Sequence, residues 1–155
     1  MGNVIELFTS FSGRINRASW WLGYVVYVIL SGIGTVLLNP TALSMDPDVE
    51  VPGVWSETIW QLVLIIPLTA IVVKRFNDRD WPHWLGYAIA LIAALLYLAP
   101  HFGFFTFGPD KSVDEGIAIL VLAIPLVFAF IDNGFLRGTK GPNRYGPDPL
   151  QSKST

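Results

Sequence analysis

The chain is 155 residues long, 52% hydrophobic and only 14% charged, with a net charge of −2 and a mean hydropathy of +0.51. Soluble domains carry about 25% charged residues, so these values exclude an ordinary water-facing surface, and they supply no basic excess for nucleic acid. The lack of cysteine excludes disulfides, thiolate metal sites and cysteine nucleophiles.

The length suits one domain, read here as residues 1–149 with 150–155 as a disordered tail. The opening "MGNVIELFTSFSGRINR" lacks the basic start, apolar centre and small-residue cleavage site of a signal peptide. Val4, Leu7, Phe8 and Phe11 recur with the spacing of one helix face. Asn3 with Glu6 resembles a capping box. The expected element is a short helix lying on the inner membrane surface.

Four segments then approach the roughly 20 apolar residues that a bilayer-crossing helix needs. They run over about 18–38, 55–73, 82–100 and 115–136. The first carries no charge, the second has Glu57 near its start, the third opens at Pro82 and the fourth has Asp132 near its end. The expected fold class is all-α, an integral membrane four-helix bundle.

The basic residues set the orientation. Arg14 and Arg17 precede the first span, Lys74, Arg75 and Arg79 lie between the second and third, and Arg137, Lys140, Arg144 and Lys153 follow the fourth. Only Lys111 falls on the other side. The positive-inside rule then puts both termini in the cytoplasm of a bacterial inner membrane. Trp20, Trp21, Trp81 and Trp84 sit at the cytoplasmic ends of spans one and three, and Trp55 and Trp60 near the outer start of span two. This is the pattern of interfacial anchors in an aromatic belt. Phe102, Phe104, Phe105 and Phe107 in the outer loop are expected to dip into the opposite interface.

The stretch "KRFNDRD" (74–80) packs five charges between two long apolar runs. It reads as a short, ordered cytoplasmic loop, with Asp78 the partner for an arginine of the N-terminal segment. It also resembles an earlier stretch: "RINRASWWLGY" (14–24) against "RFNDRDWPHWLGY" (75–87). "LVLIIPL" (62–68) and "LVLAIPL" (120–126) match in the same order, with Pro67 and Pro125 in register. Two tandem helical hairpins related by a parallel internal repeat follow, with an axis along the membrane normal. Gly86, Ala90 and Ala94, and likewise Ser31 and Thr35, mark faces of small residues that let helices approach closely. Packing within the bundle and homo-oligomerisation both account for them.

"FSGRINRASWW" (11–21), "VKRFNDRDWPHWLG" (73–86) and "GTKGPNRYGPDP" (138–149) together resemble domain-of-unknown-function family 805, small bacterial inner-membrane proteins. Phe11, Gly13, Arg14, Arg17, Arg75, Asp78, Pro142, Asn143, Tyr145, Gly146 and Pro149 match its pattern position by position. The resemblance spans nearly the whole chain and implies four helices and membrane placement, not a reaction. The chain departs from the family in its middle loop. There Asn77 stands where the family usually has histidine, and "RDWPH" replaces a stretch containing Gly and Ser.

Catalytic patterns are sparse. His83 is expected inside and His101 outside, so they cannot share a metal or a proton relay. Asp78, Asp80 and Asp132 with Asn77 could hold a hard cation, but pairing with Arg14, Arg17, Arg75 and Arg79 accounts for them more simply. No metal, cofactor or catalytic residue is therefore expected. Arg14, Arg17, Arg75, Arg79 and Arg144 are the candidates for binding an anion or a lipid headgroup, because arginine forks and helix N-termini both favour phosphate. Asp78 and Asp132 are the expected ion-pairing carboxylates. The tail 138–149, rich in Pro and Gly, is expected to fold back over the charged stretch. The function that follows is a non-enzymatic inner-membrane protein working through lipid or protein contacts at a basic cytoplasmic face. Its partners would be the bilayer, anionic lipid, and a second copy or another membrane protein. An oligomeric transporter or channel for a small solute is the alternative.

Overall fold

The computed structural model describes residues 4–44, 54–104 and 113–151. Among them the regular elements are all helical. In chain order they are α1 (Val4–Thr9), α2 (Arg17–Leu38), α3 (Trp55–Asp78), α4 (Trp84–Leu98) and α5 (Val113–Phe135). Short 3₁₀ turns cover Pro40–Leu43 and Ala99–Phe102. Four stretches are long and apolar enough to span a bilayer: Arg17–Leu38, Trp55–Asp78, Trp84–Phe102 and Gly116–Phe135. Of the expected outer-interface phenylalanines, Phe102 and Phe104 are exposed; Phe105 and Phe107 lie outside the described residues, as do Asn3 of the expected capping box and residues 152–155.

The central helix is α3. Half of its apolar window is buried, against 17% or less for each of the other three spans. It makes its most extensive contacts with α2 on one side and α4 on the other. Glycines permit this closeness. A Cβ on Gly86 would stand 2.4 Å from Val73 Cγ2 and 3.0 Å from Val73 Cα, so α4 meets the backbone of α3. A Cβ on Gly34 would stand 2.0 Å from Trp60 Nε1, and that indole donates to the Leu30 carbonyl at 3.1 Å. In lipid, where apolar side chains gain nothing by leaving one solvent for another like it, such close approach is the main source of helix association.

The charged stretch is not a loop. Lys74–Asp78 continue α3, and all five residues are buried. The apolar pattern suggested a stop at Val73, but the helix runs on because other segments supply partners for its charges. It ends in a complete Schellman motif: Asp80 N–H donates to Asn77 O, Trp81 N–H to Phe76 O, and Asp80 sits at φ 60°. That left-handed cap position favours glycine and tolerates Asp. The N-terminal helix α1 docks here too. Leu7 and Phe8 pack on a core of Trp20, Ile71, Val72, Phe76 and Ala129, while Val4 and Ile5 stay exposed. Lys74 Nζ donates to the carbonyls of Glu6 and Leu7, both at 2.7 Å.

Two expectations change. Trp20 is not an interfacial anchor: it is 2% exposed and stacks flat on Tyr24 within the core. Trp81 and Trp84 stay exposed, and Trp21 donates through Nε1 to the Gly134 carbonyl. The internal repeat is not confirmed. Gly23 meets Ile71 on α3, and a repeat would seat Gly86 on α5; Gly86 instead also meets α3, at Val73.

Candidate functional site

The chain's matched segments converge at the end of the bundle that carries the basic residues. Asp78, in the last turn of α3, is the hub. Arg14 approaches it from the segment before α2, with Nη2 2.9 Å from Oδ1, and Arg75 binds the other carboxylate oxygen from one turn earlier. These two arginine side chains are 1% and 0% exposed. A carboxylate accepts a guanidinium fork well, but one carboxylate balances only one of two arginines. Carbonyl oxygens satisfy the remaining donors. Arg14 donates to Thr139 O (2.8 Å), Gly141 O (2.8 Å) and Gly146 O (3.2 Å). Arg75 donates to Asn133 O (2.8 Å) and to Leu136 O.

The tail is docked by these bonds and by others. Thr139 N–H donates to Asp78 O at 2.8 Å, and Asn143 Nδ2 donates to Asn77 O at 2.8 Å. Asn77 in turn donates to Gly13 O at 3.1 Å. Gly138 has no alternative at its position, since a Cβ there would stand 1.9 Å from Asp78 Oδ2. Further on, the Asp148 carboxylate accepts from Leu150 N–H (2.9 Å) and Gly141 N–H (3.0 Å). Those two backbone donors hold its carboxyl below the usual carboxylate range.

The other expected site residues are placed as follows. Arg79 pairs with buried Asp132 at 3.3 Å, and Arg144 pairs with Asp80 at 3.1 Å in an exposed position. Arg144 also lies 4.8 Å above the Tyr145 ring. Arg14 and Arg75 thus spend their donors on internal partners. Arg17 differs: as the first residue of α2 it donates to Phe135 O at 3.1 Å, and no described carboxylate lies within ion-pair distance of it. The same is true of Arg137, which follows α5. Arg17, Arg75 and Arg137, with Asp78, Asp148, Thr139 and the N-cap Asn16, line a pocket of about 120 Å³. Its lining leaves one positive charge, and Arg14 behind it adds another.

Sequence reasoning counted Arg137 only as an orientation charge, and it passed over Thr139 and Asp148, although both lie in or beside the recognised tail. At the opposite end Ser31 and Thr35, read from the sequence as small residues of a packing face, belong to a polar file. Ser31 Oγ donates to Gln61 Oε1 (2.9 Å), Gln61 Nε2 to Thr35 Oγ1 (3.2 Å), Thr35 Oγ1 to Glu57 Oε1 (2.9 Å) and Asn39 Nδ2 to Glu57 Oε2 (2.7 Å). Beside the file, Thr58 bonds His101 at 2.6 Å, and His101 stacks on Trp55 at 3.9 Å.

The family described as "Protein of unknown function (DUF805)" has a model that matches residues 8–147, which includes every ligand of Asp78. The chain is 28% identical over 144 residues to Uncharacterized protein YiiR of Escherichia coli K12, covering 93% of this chain and 88% of that one. It is 26% identical over 148 residues to Inner membrane protein YhaI of the same organism, covering 95% and 92%. It is 25% identical over 146 residues to Inner membrane protein YhaH, covering 94% and 92%. No solved structure matches.

Proposed function

Since the chain belongs to the DUF805 family and its similar relatives include named inner membrane proteins, we propose that it is a multi-pass inner-membrane protein that binds anionic lipid headgroups at its basic end without catalysing a reaction. The basic end faces the cytoplasm in this reading, because eight of the ten lysines and arginines lie there among the described residues. The observation that carries the proposal is the pairing pattern. Asp78, Asp80, Asp132 and Asp148 are each engaged by an arginine or by backbone N–H groups, while Arg17 and Arg137 have no described carboxylate within ion-pair distance and line a common pocket. The α2 N-terminus beside them favours an anion as well. Juxtamembrane cations attract anionic lipid by about 1 kcal/mol each.

Native mass spectrometry of the delipidated protein tests this. Added phosphatidylglycerol should be retained over phosphatidylethanolamine, and the Arg17→Ala/Arg137→Ala variant should lose that preference while Arg144→Ala keeps it. Inorganic phosphate at millimolar concentration should compete if the phosphate group alone is recognised. Equal retention of the two lipids by the wild type would refute the proposal. The second reading, an oligomeric channel or transporter for a small solute, draws on the polar file from Ser31 to Asn39. Solute flux into liposomes that Gln61→Leu abolishes would favour it.

A further inference from the structure

A half-open cavity of about 270 Å³ lies between α2, α3, α4 and α5. Its wall holds no charged side chain. Trp20, Tyr24, Tyr27, Tyr97, Phe130 and Asn133 are its aromatic and polar members, and the rest are aliphatic. Two of the six are fully enclosed, Trp20 at 2% and Asn133 at 0% exposure. Trp20 Nε1, Asn133 Nδ2 and Asn133 Oδ1 have no protein partner. Buried polar atoms are normally satisfied, so these three point to a bound polar group. At the far end of the cavity, the Tyr27 and Tyr97 hydroxyls lie 3.5 Å apart.

The chemistry of the occupant follows from this wall. An uncharged wall within the span selects a neutral molecule. Flat rings select a planar one: Trp20 and Tyr24 stack with centroids 5.1 Å apart at 7°, and Phe130 stands edge-on to Trp20 at 5.9 Å. The indole and the amide Nδ2 can only donate and the phenols can donate, so a carbonyl oxygen complements two of the three unpartnered atoms, Asn133 Oδ1 being an acceptor. Donors stand at both ends. Residues 20 and 27 are seven apart on one helix, roughly 10 Å along its axis. Two hydrogen bonds of about 2.9 Å each and one six-membered ring with oxygens at opposite positions fill that span. The volume lies just below the usual range for ligand pockets, about 300–1,000 Å³, which suits one or two fused rings.

We propose that this cavity binds the ring of a membrane-soluble quinone, seated between the aromatic walls with one carbonyl on Trp20 and Asn133 and the other on the tyrosine pair. This site is separate from the basic pocket, and the proposal does not depend on the headgroup reading.

Menadione, a tail-free bicyclic quinone, and 2-methylnaphthalene, the same ring system without carbonyls, are the probes. Titrated into the purified full chain in detergent, menadione should raise the melting temperature saturably. 2-Methylnaphthalene should bind at least tenfold more weakly, since it leaves the buried donors unpaired. The chain has no cysteine, so thiol addition to menadione cannot mimic binding. Ala93→Phe, which fills the cavity from α4, should abolish the saturable shift. Asn133→Leu should erase the preference between the probes, and it keeps the test decisive if Ala93→Phe does not fold. Equal shifts from both probes in the wild type would mean partition into the micelle. No saturable shift at all would mean that water or acyl chains occupy the space. Either result overturns the proposal.

Discussion

Replacing Asp78 by alanine removes the only described carboxylate within ion-pair distance of Arg14 and Arg75, the two most buried arginines described. Their carbonyl partners remain, but carbonyl oxygens carry no compensating charge. Breaking a buried pair by removing one partner costs about 3–5 kcal/mol. Asp78→Ala strands two cations rather than one, so the upper half of that range is expected. Removing the exposed Arg144–Asp80 pair, whose side chains are 55% and 47% exposed, should cost about 0–1 kcal/mol. For a chain of this size each kcal/mol moves the melting temperature by about 2–4 °C. Asp78→Ala should therefore melt about 10–15 °C below the wild type in detergent, and Arg144→Ala within about 3 °C of it. Adding Arg14→Met to Asp78→Ala removes one stranded charge, so the double variant should lose less than the two single variants combined. Equal shifts for Asp78→Ala and Arg144→Ala, or additive losses in the double variant, would refute the view that this carboxylate holds the basic end together.

Further outcomes are expected elsewhere. Gly86→Ala should cost about 1–3 kcal/mol by overpacking α4 against Val73, whereas Gly32→Ala, with nothing within 4 Å of the new Cβ, should cost nothing; paired thermal melts compare them. In the Arg144→Ala background, Asp80→Gly should raise the melting temperature by relieving the left-handed cap position; a lower value would disprove the strain. Because the folded Asp148 carboxyl is held below its ordinary value of about 3.9, its contribution is present above that pH and is lost as the pH falls through the lower folded value. Hydrogen exchange at the Gly141 and Leu150 amides should accelerate on acidification, and Asp148→Asn should flatten that dependence. A reporter fused after Thr155 should read as cytoplasmic and one inserted at 44–50 as periplasmic; a periplasmic C-terminus would reverse the orientation argument.

The spans were legible because a bilayer imposes a length and a polarity that few sequences meet by accident, and except at the end of α3 the four helices lie within about two residues of their expected limits. The end of α3 was not. Helix termination was read from the apolar-to-charged switch at Lys74, but that switch marks where lipid stops, not where the helix stops. Nothing local in "KRFND" indicates that Leu7, Arg14 and Thr139 arrive to cover it. Trp20 shows the same limit. Next to Trp21 and close to a charged segment it has the signature of an anchor, yet the helical phase turns it inward and Trp21 toward Gly134. Arginines were legible as a group but not individually. Which of them is spent on Asp78 and which is open to a ligand depends on how the tail lies, and a sequence rich in Gly and Pro specifies turns without specifying what they turn onto.

The docking of residues 138–149 on Arg14 and Asp78 has a consequence for the order of events during synthesis. Arg14 leaves the ribosome before any span is made, while three of the carbonyls that satisfy it belong to Thr139, Gly141 and Gly146. The first basic residue of the chain therefore waits for almost the last turn, and its guanidinium stays hydrated until then. A chain stopped at Gly138 would hold all four spans and still lack that closure. Pulse-chase turnover should then be faster for this truncation than for the full chain, and as fast for Gly138→Leu, which keeps the tail but bars it from Asp78.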